Sequence, residues 1–457
     1  MNDFNQFFGQ AIQAVENALQ VRTKADMPQD WAQSQMNLGN VLLNEGMRAD
    51  AAKAVPLLQQ AVQAYQSALQ VYTKTDDPNE WATTQNNLAF TFTSLGMHAG
   101  RDQAMGFLNQ AIAADQSALE VRTQANVPQE WAQTQLNLGN TYMTESYLIG
   151  GDNAPALLDQ AVQAFRNALQ VQTRDSLPQA WAATQYVLGN ALLMEATSSS
   201  GDKAIALLDQ AAQAYRDVLQ VTTRTELPQQ WASTQFSLAS ALAAEAERTA
   251  DDKAPALLDQ AAQADRAVLQ VFTETDMPQQ WAAAQLALGF TLMLEGEFAA
   301  SDEAKPLFDQ SSQAFNNALQ VFTKSGVPKL WTQAQISFVT LNFVEGNFVQ
   351  CLQQDALLTD DTVTPYEALA RDALKLACEW GAKDKPSALA TAKALLAAPF
   401  PSPYTLVDLV PAAYSIAQSP AFQPGRDSWL DFFSAVQNHS SSALTAALQK
   451  LEPVLQQ

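Results

Sequence analysis

The sequence predicts an all-α chain built from stacked, antiparallel helix pairs. Three observations carry that expectation. Tryptophan recurs every 50 residues, at Trp31, Trp81, Trp131, Trp181, Trp231, Trp281 and Trp331. A proline stands three residues before each, at Pro28, Pro78, Pro128, Pro178, Pro228, Pro278 and Pro328. Glycine is scarce, with 17 in 457 residues, which argues against a turn-rich β architecture.

Each 50-residue unit reads as two helices. The first runs from about Pro28 to Gly46 and opens on proline, which suits a first turn where an N–H has no partner to lose. Trp31, Gln35, Leu38 and Leu42 fall on one face. Beside that stripe Gly39, Gly139, Gly189 and Gly289, or the small Ala89 and Ala239, let two helices approach closely. The second helix, roughly Ala52 to Thr73, carries Leu57, Leu58, Ala61, Tyr65, Ala68 and Leu69. In later copies Asp152, Asp202, Asp252 and Asp302 are expected to cap it. At about 22 residues this helix would span about 33 Å.

Leu38, Gly39, Ala61, Tyr65, Ala68 and Pro78, repeated down the chain, resemble the signature of the tetratricopeptide repeat. The likeness covers residues 1–346 and departs from the family in length, since its usual unit is about 34 residues. The spelling WAxTQxNLG also resembles the elongated repeats of large bacterial multidomain sensors. The resemblance implies a right-handed superhelical solenoid whose first helices line a concave groove. Residues 1–27 read as a half unit, a second helix without its first, and seven first helices follow. Residues 347–457 read as a proline-interrupted helical C-terminal cap or a small interaction module.

With 47 acidic against 25 basic residues the formal charge is −22, which disfavours nucleic acid and anionic membranes and favours neutral or basic protein partners. The start MNDFNQFFGQAIQAV is no signal peptide, and no apolar run approaches a membrane span. Cys351 and Cys378, 27 residues apart, fit neither a disulfide framework nor a metal site and read as reduced thiols of a cytoplasmic protein. His98 and His439 are the only histidines, and a Cys351–His439 nucleophile pair has nothing to bring it together. Neither an enzyme nor a cofactor is expected.

Six of the seven first helices end on glutamate (Glu45, Glu145, Glu195, Glu245, Glu295 and Glu345), read as acceptors for a neighbouring repeat rather than a cation ladder. The tryptophans are read as wedges. Binding should lie where the repeats differ. Asn37, Asn40, Asn87, Asn137, Asn140 and Asn190 form rows suited to gripping an extended peptide backbone. Phe90, Tyr186, Phe236, Phe290, Met293, Ile336 and Phe343 suit an apolar anchor or an amphipathic helix. Equally, both sets are consistent with helix packing. No Lys or Arg occupies these rows, which sets aside the family's clamp on a peptide carboxylate. Asp115 and Asp265 stand where other second helices carry an aromatic, and read as solvent-exposed or as marks of a partner site. The leading expectation is a scaffold that holds a protein or peptide in the concave groove. The alternatives are a sensor segment of, or beside, a larger effector, and self-association through repeat ends with Phe4, Phe7 and Phe8 at the joint.

Overall fold

The structure, a computed structural model, describes residues 2–150, 153–249, 252–359, 365–397, 416, 419–423, 425–437 and 441–456. The described residues are helical with no strand, as the 50-residue pattern requires. Contacts divide the chain into two compact units, Met1–Val221 and Thr222–Gln457. His439 and Asp152 lie outside the described residues, as do the side chains of Phe4 and Phe7.

Unit 1 opens with α1 (Asn2–Val21), followed by four pairs. These are α2 (Pro28–Gly46) with α3 (Ala51–Ala68), and α4 (Pro78–His98) with α5 (Arg101–Leu119). The next are α6 (Pro128–Ile149) with α7 (Ala154–Leu169), and α8 (Pro178–Thr197) with α9 (Gly201–Leu219). Unit 2 holds the pairs α10 (Pro228–Ala246) with α11 (Ala254–Val268), and α12 (Pro278–Phe298) with α13 (Ser301–Val321). Then come α14 (Pro328–Val344), α15 (Phe348–Asp355), α16 (Pro365–Gly381), α17 (Lys385–Ala397), α18 (Arg426–Gln437) and α19 (Ser441–Gln456).

Proline is the first residue of every repeat's first helix, α2 to α14. The turn before it is closed by a threonine. Thr73 Oγ1 donates to Asp76 Oδ2 at 2.7 Å, and Asp76 N donates back to Thr73 Oγ1 at 3.0 Å. The same closure recurs at Thr23, Thr123, Thr173, Thr223 and Thr273. Cations leaving these turns lie over the tryptophan faces, with Lys24 5.7 Å from Trp31 and Lys324 5.7 Å from Trp331. Lys24 Nζ also reaches Gln70 Oε1 in the next repeat at 2.8 Å. Each tryptophan is half-buried, so it serves both the core and this inter-repeat bridge.

Second helices are shorter than expected. α3 spans 18 residues, about 27 Å, because residues 69–71 leave the helix in a tight finish with Val71 N on Ala68 O. The aspartate caps also differ. Asp50 caps α3 by accepting from Lys53 N at 3.1 Å. Asp202 and Asp302 instead lie inside first turns, because α9 and α13 begin one residue earlier, and no cap bond forms from Lys253 ahead of α11. A carboxylate in the first turn still answers the helix dipole.

In four of the six pairs a glycine meets an aromatic ring. A Cβ on Gly39 would sit 2.6 Å from Tyr65, on Gly139 2.5 Å from Phe165, on Gly189 2.7 Å from Tyr215, and on Gly289 2.6 Å from Phe315. All four rings are 0% exposed. Where the second helix carries Asp115 or Asp265 instead, the first carries Ala89 or Ala239, since no ring claims the space.

The C-terminal helices share one core with α14. Phe343 is 1% exposed and packs against Phe348, Phe422 and Phe433, with ring centroids 5.7 to 6.5 Å apart. The reduced-thiol expectation is overturned here. Cys351 on α15 and Cys378 on α16 form a disulfide, with Cα atoms 6.3 Å apart and both residues fully buried. Spacing in sequence could not show this, because only helix packing brings the two together. Disulfides persist chiefly in oxidising compartments, so the cytoplasmic expectation loses the support it drew from free thiols.

Two outcomes test this account. Gly139→Ala should cost about 1–3 kcal/mol in urea unfolding through overpacking, and adding Phe165→Leu should recover much of it. Reducing the disulfide, or Cys351→Ser with Cys378→Ser, should destabilise unit 2 by about 3–4 kcal/mol through the loop released, read by calorimetry with and without reductant.

Candidate binding groove

The first helices of unit 1 touch directly. Asn87 Nδ2 donates to Asn40 Oδ1 at 3.0 Å, and the Thr93 and Thr141 hydroxyls meet at 2.8 Å. The asparagine rows are therefore already engaged in structure. Asn40 Oδ1 also accepts from the Tyr65 hydroxyl at 2.7 Å, and Asn190 Oδ1 from Tyr215 at 2.8 Å. A buried tyrosine needs such an acceptor. Asn37 and Asn137 accept from Gln33 and Gln133 one turn back, both at 3.1 Å. Asn140 is half-buried opposite Phe165, which has no hydroxyl to offer. Phe90 is half-buried beside the unit 1 core, and Tyr186 tilts against Tyr215 with centroids 5.9 Å apart.

In unit 2 the corresponding face opens into a cavity of about 490 Å³. Phe236 on α10, Phe290 and Met293 on α12 and Ile336 on α14 line it. Phe236 and Phe290 are half-buried walls, whereas Met293 and Ile336, at 0% and 4% exposed, form the floor. Phe343 does not reach it. In its repeat no second helix of the usual kind follows α14, so the ring is covered by the C-terminal helices. Several lining residues lie off the predicted rows, two of them charged. Exposed Lys329 opens α14, and buried Glu367 comes from α16. Lys329 stands one residue after the periodic Pro328 and was legible as a lone cation near the groove. Nothing in the sequence joined Glu367 to it, because α16 lies outside the repeat.

Asp115 and Asp265 are both 0% exposed, which corrects the expectation that they face solvent. Asn86 Nδ2 donates to Asp115 Oδ1 at 2.8 Å, and Arg122 binds Asn86 Oδ1 at 3.3 Å, Thr134 at 3.0 Å and Thr83 at 2.8 Å. Thr291 donates to Asp265 Oδ2 at 2.9 Å. The second oxygen of each carboxyl, Asp115 Oδ2 and Asp265 Oδ1, has no hydrogen-bond partner. Burial pushes Asp115 up to about 8 against the opposing pull of Asn86 and Arg122. It pushes Asp265 up to about 7 against Thr291 and Arg266.

The glutamates that end the first helices divide. Glu195 accepts from Lys203 at 2.8 Å within its own repeat, and Lys305 of the preceding repeat lies 3.6 Å from Glu345. Glu45, Glu145 and Glu295 each keep one buried oxygen without a partner. Burial raises the Glu145 and Glu295 carboxyls above the usual range. Among the described residues no group of three or more His, Cys, Asp or Glu could hold a metal ion, and no helix is long and apolar enough to cross a membrane.

No family model matches the chain, and no curated protein matches it. Among solved structures it is similar to a Rap protein complexed with competence and sporulation factor (TM-score 0.41, 13% identity, 91% of this chain and 99% of that one). It is also similar to a circular tandem repeat protein with a novel repeat topology (0.30, 12%, 99% and 96%). A third is the P58(IPK) TPR domain (0.24, 13%, 93% and 98%). The repeat assignment rests on the chain's own helix pairs.

A pH series tests the buried carboxyls. Asp115 is protonated more readily folded than unfolded, so between about pH 4 and pH 8 the unfolded chain releases a proton that the folded chain keeps, and stability falls as pH rises. Asp115→Asn removes that loss. Its advantage over wild type should widen by up to about 1.4 kcal/mol per pH unit across the window, read by urea unfolding of unit 1.

Proposed function

We propose that the chain is a non-enzymatic binding scaffold for a protein or peptide, and that unit 2 holds the ligand's apolar side chains in the cavity between α10, α12 and α14. The observation that carries this reading is the cavity itself. At about 490 Å³, with two half-buried phenylalanines on its walls and the buried Met293 and Ile336 beneath them, it has the size and lining of a preformed site. A monomer gains nothing by leaving Phe236 and Phe290 partly wet, whereas a ligand that covers them does. Lys329 at the mouth adds a cation that can meet a carboxylate beside the apolar anchor.

The binding mode follows from the lining. Phe236 and Phe290 suit the apolar face of an amphipathic helix, while Ser240, Gln333, Ser337, Thr340, Lys329 and Glu367 on the same lining can meet its polar flank. The asparagines of unit 1 are less suited to a backbone grip, because the oxygens of Asn37, Asn40, Asn137 and Asn190 already have donors. Preformed walls keep the ordering cost on this side small.

The test is Phe236→Ala with Phe290→Ala against wild type, with affinity capture from the native source read by mass spectrometry. Losing two central aromatic anchors should cost at least about 2 kcal/mol, a thirtyfold loss of capture, while Tm falls by no more than a few degrees. Identical captures from the two proteins would remove the cavity as the binding site.

A further inference from the structure

Unit 2 holds a break in the bridge that joins each turn to the next repeat. Lys24, Lys74, Gln124, Arg174 and Arg224 each donate to the side chain 46 residues on, the last of them to Gln270. In the turn between α11 and α12 the donor gives way to Glu274, and the acceptor's place on α13 is held by Gln320. A carboxylate has only oxygens to offer, so Glu274 cannot take the donor's part. Gln320 could turn its amide nitrogen toward it. Among the described residues, however, neither side chain forms a hydrogen bond, and both are exposed.

The ring beside the break lacks its cation as well. Cations lie 5.7 to 6.0 Å from the ring centres of Trp31, Trp81, Trp231 and Trp331. Trp281 is half-buried in the same place, in the first turn of α12, and among the described residues no cation lies over it. The cations of the flanking turns are engaged elsewhere, Arg224 with Trp231 and Gln270, and Lys324 with Trp331 and Thr359. Glu274 and Asp276 give this turn a charge of −2, whereas residues 23–28 and their equivalents in the other repeats carry between −1 and +1. A neutral residue at 274 would leave the ring bare and attract nothing. Glu274 leaves it bare and attracts a cation.

We propose that this break receives an arginine side chain of a partner protein. The guanidinium lies on Trp281 and donates to the Glu274 carboxylate and to Gln320 Oε1. Arg224 shows that one guanidinium reaches ring and acceptor together. Its Cζ stands 6.0 Å from the Trp231 centre, and it donates to Gln270 Oε1 and, at 3.4 Å, to the Gln270 carbonyl. The planar fork of arginine has five donors, which serve two acceptors while its face stays on the ring. The site is a single anchor at the α11–α12 turn and does not depend on the cavity. An exposed cation–π contact and an exposed ion pair together raise a partner's affinity about fivefold to tenfold.

Fluorine NMR of the full chain labelled with 5-fluorotryptophan tests this, with the Trp281 signal assigned from Trp281→Phe. The probe is the peptide Gly-Gly-Arg-Gly-Gly with both ends blocked, at low salt. The Trp281 signal should shift saturably, with half-saturation on the order of 1 mM, while the other tryptophan signals stay in place. Citrulline in place of arginine keeps the shape without the charge and should abolish the shift. Free arginine brings a carboxylate toward Glu274 and Asp276 and should bind at least about threefold more weakly. Glu274→Arg restores the pattern of the preceding repeat, so it should move the Trp281 signal without peptide and remove the response to it. Its circular dichroism melt should be no lower than that of wild type, because residue 274 is exposed. A Trp281 signal that ignores the arginine peptide, follows the citrulline peptide equally, or still responds in Glu274→Arg would overturn the proposal. Free arginine binding as tightly as the peptide would also overturn it, by making the ligand an amino acid rather than a protein.

Discussion

In four of the six helix pairs the approach of one helix to the other depends on a ring resting on a glycine. Tyr65, Phe165, Tyr215 and Phe315 each lie where a Cβ on the facing glycine would intrude by about an ångström, so ring and glycine specify each other. Everything outside the pair follows from that spacing. It sets where the tyrosine hydroxyls emerge, and hence why Asn40 and Asn190 stand opposite them. It also sets how first helices meet, through Asn40 and Asn87 or Thr93 and Thr141. Two repeats depart from the rule together on both sides, with alanine facing aspartate. A paired change within one chain is what a direct contact predicts.

Those two repeats show what the ring was excluding. Without it the place is filled by a carboxyl that is wholly buried, half satisfied and held near neutrality in its titration. Such a group weakens a pair unless it stays protonated or is bonded on both oxygens. The chain bonds one oxygen in each case, through Asn86 or Thr291. The cost is bearable because intact glycine–aromatic pairs flank both repeats in sequence.

Much of this was legible in the sequence, and most of the failures share one cause. Period, proline start and small residue at Gly39 are local signals, repeated often enough to read. What misled was the boundary of the repeat pattern. Phe343 follows the groove register, yet α14 is covered by C-terminal helices that no periodicity announces. Cys351 and Cys378 are ordinary apolar positions until α15 folds against α16. Glu367 joins the cavity for the same reason. Asp115 failed differently, since its burial is dictated by the pair and its polarity suggested the opposite.

Repetition also sharpens the functional argument. A residue that recurs in every repeat is explained by the repeat, and the tryptophans are of that kind, with cations over Trp31, Trp81, Trp231 and Trp331. A residue that breaks the series is not explained by it. The cavity between α10, α12 and α14 is walled by Phe236, where other repeats carry Met36, Asn86, Leu136 and Tyr186, and by Phe290, whose position is aromatic elsewhere at Phe90 and otherwise polar. This lining varies from repeat to repeat, whereas the small residue and the ring it meets recur in four of the six pairs. A helix pair spaced by that contact can thus vary the residues on its surface without disturbing the ring that spaces the helices.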